Sequence, residues 1–163
     1  MDFIITMFTV LSMYMNLSQD NGGDYCYNAD IDNGIVRTMY VYEKSATGLI
    51  PTYSYHYDYD EAGRLSTKTA YRWNAESNCY QPSYQLCMTY LVDTYELSRS
   101  VWDNRAGNWQ TDTQKMVYQL DGSQNLSVNI LQRDTQGRYH AVDHFLIQDA
   151  HGDQLLAIRP TLP

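Results

Sequence analysis

From about residue 34 onward, apolar and polar residues alternate with a period of two over most of the chain. The clearest stretch is residues 53–73, YSYHYDYDEAGRLSTKTAYRW. Tyrosines at 53, 55, 57 and 59 fall on every second position, and successive side chains of a strand point to opposite sides of its sheet, so these four share one face. Asp60-Glu61-Ala62-Gly63 interrupts the pattern with turn residues. Asp accepts backbone N–H bonds in a tight turn, and Gly takes a positive φ without steric cost. Leu65, Thr67, Thr69, Tyr71 and Trp73 resume the alternation on the way back, which predicts a β-hairpin.

The hairpin recurs. Tyr42, Trp73, Trp102 and Gln132 stand 31, 29 and 30 residues apart, and Leu49, Tyr80, Trp109 and Tyr139 follow them at seven residues' distance. Turn material separates each pair, as KSATG, NAESN, DNRAG and DTQG. At the opposite phase, Tyr57-x-Tyr59-Asp60-x-x-Gly63-Arg64-Leu65 is echoed by Tyr118-x-Leu120-Asp121-x-x-Gln124-Asn125-Leu126, and less regularly around Asp93 and Asp149. A fixed period punctuated at a fixed phase marks an array. The expected fold is all-β: an antiparallel up-and-down meander of about eight or nine strands, built from hairpin repeats of about 30 residues. A single twisted sheet, a half-open barrel and a sandwich all satisfy this pattern. Tyr84, Leu86, Met88 and Tyr90 fall on an apolar face, whereas Ser54, His56 and Asp58, and Arg64, Ser66, Lys68 and Arg72, fall on a wet one. Tyr95, Leu97 and Val101 are out of step with Trp102, which predicts a bulge.

The N-terminus is a different kind of sequence. Residues 3–17, FIITMFTVLSMYMNL, form a nearly unbroken apolar run of 15. A membrane-spanning helix takes about 20 residues, so this length fits the hydrophobic region of a secretory signal instead. Met1-Asp2 brings no Lys or Arg ahead of it, and no small-x-small cleavage pattern follows. The organisation expected is a signal peptide over 1–19, a turn-rich linker over 20–33 and one β-repeat domain over 34–163. Export to the periplasm, the cell surface or the surroundings goes with it.

Composition narrows the chemistry. Sixteen Tyr and three Trp stand against three Phe, and Tyr, with an apolar body and polar tip, suits half-exposed sheet surfaces. A net charge of −8 argues against nucleic acid as a partner, since that binding rests on phosphate neutralisation by Lys and Arg. Cys26, Cys79 and Cys87 lack C-x-x-C spacing and read as free, half-buried thiols. His140 and His144 are four apart but flank a strand, so they do not align as a helical chelating pair, while His144 and His151 approach across the turn at 149–152. His56 and Asp58 share a face about 7 Å apart, a spacing open to acid–base work, yet they read as solvated outer-face groups. No nucleophile elbow, zinc-protease or phosphate-loop motif occurs. No catalytic residue, metal or cofactor is assigned, and the protein is not expected to be an enzyme. The aromatic surplus supplies the candidate binding residues: Tyr71, Trp73, Tyr80, Trp102 and Trp109 cluster at one phase of the repeat, hence near one rim. Such rings stack on sugars or bury in a protein partner; alternatively they are the sheet's own cross-strand pairs. The expected function is an exported, non-catalytic binding or structural module for glycan or protein. A carbohydrate-active enzyme and a homo-oligomer joined through edge strands or the apolar face are the rivals.

The Tyr57–Leu65 turn resembles the YD repeat of Rhs-type and teneurin proteins in one copy. The larger resemblance runs over about residues 28–160. The signal-like leader, the Y-D-x-x-G-R-L hairpin, Tyr71-Arg72-Trp73-Asn74 with Tyr80-Gln81-Pro82, and Trp102-Asp103 with Trp109 are together similar to a family of exported Bacteroides-type proteins, domain of unknown function 3836. The resemblance implies export and an all-β fold, and it carries over no catalytic residue.

Overall fold

The computed structural model describes residues 4–19, 22–112, 114–120, 126–149 and 155–158. One helix, α1 (Met7–Ser18), precedes strands β1 (Tyr25–Asp32), β2 (Ile35–Ser45), β3 (Gly48–Tyr59), β4 (Leu65–Asn74) and β5 (Cys79–Tyr90). Then come β6 (Thr94–Asp103), β7 (Asn108–Trp109), β8 (Gln114–Leu120), β9 (Leu126–Arg133), β10 (Tyr139–Asp149) and β11 (Leu155–Ile158). The strands form an open antiparallel sheet in sequence order, with the short β7 standing off the path on β6. This is the expected meander. The chain divides into two compact units, Met1–Gln85 and Leu86–Pro163, so the domain expected over 34–163 carries a division inside β5.

The segment expected as a linker holds a strand. β1 pairs with β2 from Tyr25↔Glu43 to Asp32↔Ile35, although Asn28, Asp30 and Asp32 give it the composition of a loop. A strand at the end of the sheet path bonds through one side of its backbone only, and its polar side chains stay in solvent. Asn33 at φ 50° and Gly34 at φ 77° close the hairpin. Two consecutive positive φ values make a type I′ turn, for which Asn-Gly is the strongest short-range signal.

The other turns carry the acceptors expected of them. Asp60 Oδ1 accepts from the N–H groups of Ala62 at 3.0 Å and Arg64 at 2.9 Å. Asn74, Asp103 and Asp134 accept turn N–H groups in the same way. The turns proposed around Asp121 and Gly152 lie outside the described residues.

The expected division into one apolar and one wet face does not hold in the first unit. Asp58 pairs with Thr67 but Tyr59 pairs with Leu65, so Ser66 is an extra residue on β4. One inserted residue exchanges the faces of everything beyond it. Lys68 and Arg72 therefore lie opposite Tyr57 and Tyr53 on the tyrosine face. Tyr71 falls on the other face, in register with Ser54 and, through it, Tyr40. The rings on either side explain why Ser54 is only 1% exposed on a face expected to be wet.

Helix α1 begins with a capping box: Thr6 Oγ1 accepts from the Thr9 N–H and Thr9 Oγ1 from the Thr6 N–H. It packs on β1 and β2. The chain just before it is pinned to the β3–β4 turn by Met7 N–H to Gly63 O at 3.0 Å and Leu65 N–H to Ile5 O at 2.7 Å. Val10 is its buried residue, beside a core of Val36, Met39, Val41, Tyr57, Leu65 and Ala70 in this unit. No described helix is long and apolar enough to cross a membrane.

In the second unit Met88, Leu126 and Val128 are buried. The rings of Tyr90, Tyr95 and Tyr118 form a ladder, with centroids 5.4 and 4.9 Å apart. Near Trp102, β6 changes partner strand. Residues 94–99 of β6 pair with β8, Trp102 and Asp103 pair with β7, and Ser100 donates to the Asp112 carboxylate between the two.

Candidate functional site

The register of the first unit brings tyrosines of β1 and β3 to one face, on either side of β2. Tyr27 lies opposite Val41 and Val41 opposite Tyr53, while Met39 lies opposite Tyr55 and Tyr57 opposite Lys68. Together with Tyr25, and with Met13 and Leu17 of α1 as a roof, these side chains line a cavity of about 350 Å³. The rings of Tyr53 and Tyr55 stack at 6.0 Å with an interplanar angle of 3°.

Two polar groups in this lining stand out. Lys68 places its Nζ 4.0 Å from the Tyr55 ring centroid and 5.9 Å from that of Tyr57. Among the described residues it has no hydrogen-bond acceptor and no carboxylate. Burial lowers its pKa, because desolvation disfavours the charged form. Tyr57 is 3% exposed, and its hydroxyl is buried without a hydrogen-bond partner. Burial also raises the Tyr57 pKa, and it pushes Tyr55 up to about 12, with Tyr84 and Tyr53 adding to the effect. The contrast is with Lys115 in the second unit. It reaches Glu96 Oε2 at 3.1 Å as well as lying 5.0 Å from the Tyr139 ring centroid.

The five candidate binding residues lie on strand ends and make pairs. Trp73 and Tyr80 meet edge to face at 4.9 Å, and Tyr80 also lies 6.2 Å from Tyr40. Trp102 and Trp109 are register partners and meet edge to face at 5.0 Å. Tyr71 packs against His56 at 4.6 Å. All five are half-buried. Trp73 and Tyr80 belong to the first unit, Trp102 and Trp109 to the second.

The histidines have separate partners. His140 Nε2 lies 2.8 Å from Asp134 Oδ2, and His144 Nδ1 lies 2.8 Å from Asn129 Oδ1. His151 lies outside the described residues. His56 and Asp58 are both exposed. The hydrogen bond from His140 and the turn N–H groups hold the Asp134 carboxyl down to about 2. Among the described residues no three His, Cys, Asp or Glu side chains converge as a metal site, and Cys26, Cys79 and Cys87 form no disulfide.

Sequence reasoning missed the site-forming role of Lys68, because the Ser66 bulge that turns it inward leaves no mark on the alternation. It also missed a literal repeat. Asp134-Thr135-Gln136-Gly137-Arg138 reproduces the D-x-x-G-R order of residues 60–64 and the same hydrogen bonds, down to the Arg Nε reaching the Asp Oδ2.

A family model described as a family of unknown function, DUF3836, matches residues 1–120. The chain belongs to this family. Solved structures share the DUF3836 fold. A protein of unknown function from Bacteroides fragilis aligns with a TM-score of 0.65 at 20% identity, over 77% of this chain and 93% of its own. A DUF3836 protein from Parabacteroides distasonis aligns with a TM-score of 0.54 at 26% identity, over 59% and 90%. Another from Bacteroides vulgatus gives 0.52 at 21%, over 53% and 89%. No curated protein matches. The likeness to YD repeats rests on the Tyr57–Leu65 turn alone.

Proposed function

We propose that the chain is an exported, non-catalytic binding module, and that its binding surface is the tyrosine-bearing side of β1–β4. The observation that carries the reading is the cavity of about 350 Å³, lined by five tyrosines and by a lysine without a carboxylate partner. Ligand sites are concave and mostly apolar, with a few convergent polar groups. Asp60, Asp103 and Asp134 each accept turn N–H groups, so these three carboxylates serve the turns.

Export is supported by α1. The helix buries Val10, yet Phe8 is 67% and Met15 58% exposed. A helix that belongs to a protein's surface turns polar residues outward; one that is apolar all round suits a leader. Two measurements test the proposal. The N-terminal sequence of protein recovered outside the cytoplasm should begin beyond Leu17, and a cytoplasmic product beginning at Met1 would overturn export. A thermal-shift screen against glycans and small amphiphiles should raise Tm for at least one class, and a flat response to all of them would overturn binding. A second reading has one observation in its favour: the half-exposed Trp102–Trp109 pair offers a ring surface on which sugars stack.

A further inference from the structure

Resting on the reading of this face as a binding surface, we propose that its ligand is an amphipathic carboxylate, with an apolar body against the tyrosines and its carboxylate at Lys68. The unmatched cation of the cavity defines the head. Lys68 presents ammonium protons that meet only ring faces. A carboxylate has two oxygens and only accepts. It supplies the acceptor and the counter-charge that the ammonium lacks, and so offsets its desolvation. Charge-assisted bonds of this kind are the strong ones. A neutral sugar would leave the ammonium uncompensated, and a cationic ligand would meet it as a like charge.

The walls define the body. Met39 and Val41 add aliphatic surface to the five rings, and Met13 and Leu17 do so while α1 is in place. With α1 present the volume of about 350 Å³ is small for a ligand site, since these run from about 300 to 1,000 Å³, and it admits a single short chain or ring system. The whole chain carries a net charge of −8, so the long-range field opposes an anion and association is not steered; selection comes from the local ammonium. Met13 and Leu17 roof the cavity, and loss of α1 on export opens it along that side.

Calorimetric titration tests this on two forms of the protein, the full chain and the form recovered after export. The probes are decanoate, 1-decanol and decyltrimethylammonium, all kept below their micelle concentrations. Decanoate is expected to bind at least about ten-fold more tightly than decanol, with the cationic probe weakest. K68M should bring decanoate down to the decanol value and leave decanol unchanged. A circular dichroism spectrum and a Tm at or above wild type confirm that K68M is folded. Equal binding of decanoate and decanol, no binding of decanoate to either form, or unchanged decanoate affinity in K68M each overturns the proposal. If decanol binds but decanoate holds no advantage, the binding surface stands and only the ligand class falls. If neither probe binds and the thermal-shift screen is also silent, the binding surface falls with it.

Discussion

The sharpest energetic consequence concerns two tyrosines two residues apart. Tyr59 donates its hydroxyl to the Val36 carbonyl at 3.0 Å, whereas the Tyr57 hydroxyl is buried and unpartnered. The same substitution therefore has opposite effects. Tyr59→Phe removes a hydrogen bond worth about 1 kcal/mol and leaves a carbonyl short of a donor. Tyr57→Phe removes a desolvated group that costs about 1–3 kcal/mol, with no bond lost. A domain of this size moves about 2–4 °C in Tm per kcal/mol, so Y57F should melt a few degrees above wild type and Y59F a few degrees below. Urea denaturation at neutral pH, followed by circular dichroism, gives the same comparison isothermally. Burial raises the Tyr57 pKa, so its contribution is intact below about pH 10 and is lost as pH rises above that value. The advantage of Y57F should therefore widen in alkali. A loss of about 1 kcal/mol or more in Y57F would show that the hydroxyl is satisfied. That result would remove the reasoning about stability.

Other consequences are independent of that pair. Tyr55 and Tyr59 are pushed up to about 12, and Tyr95 is raised by burial. Ultraviolet titration of the native chain should thus leave a group of tyrosines un-ionised at about pH 11, to be released together on alkaline unfolding. A smooth titration of all sixteen near the ordinary tyrosine value of about 10 would contradict that burial. A Cβ on Gly63, at φ 73°, would stand 3.1 Å from Met7 Cε, whereas one on Gly34, at φ 77°, meets nothing within 4 Å. Both alanine variants carry backbone strain of about 1–2 kcal/mol, and in the full chain Gly63→Ala should cost the more. In a variant lacking residues 1–19 the two costs should converge. The Asp134 carboxyl, held down to about 2 chiefly by His140, contributes stability that is present above the usual carboxylate value near 4 and is lost between there and about pH 2. Asp134→Asn should flatten the urea midpoint over that acid window, and an unchanged pH profile would show that the contact does not form.

The meander was legible because its signals are local. Alternating tyrosines, turn residues and a period near 30 each report on a few neighbours, and the paired turns at 42–49, 73–80 and 102–109 stand where the spacing put them. What escaped depends on single residues whose effect is felt elsewhere. Ser66 is an unremarkable strand residue, yet its insertion puts Lys68 rather than Thr67 opposite Tyr57. The Asn33-Gly34 turn was in plain sight, but the polar side chains of β1 masked the strand before it. Trp102 and Trp109 pair within their hairpin because residues seven apart across the four-residue turn at 104–107 face each other. The roof of the cavity was not legible, since it comes from α1 laid over β1 and β2, and nothing in the alternation specifies that docking.

The central claim is that ligand binding occurs on the tyrosine side of β1–β4 rather than on the aromatic rim. Ring-proton chemical shifts of the exported protein, assigned and followed during a decanoate titration, address it directly. The account predicts saturable shifts confined to Tyr25, Tyr27, Tyr53, Tyr55 and Tyr57, with Trp73, Trp102 and Trp109 unmoved. Shifts centred on those three tryptophans, with the five tyrosines unmoved, would contradict it.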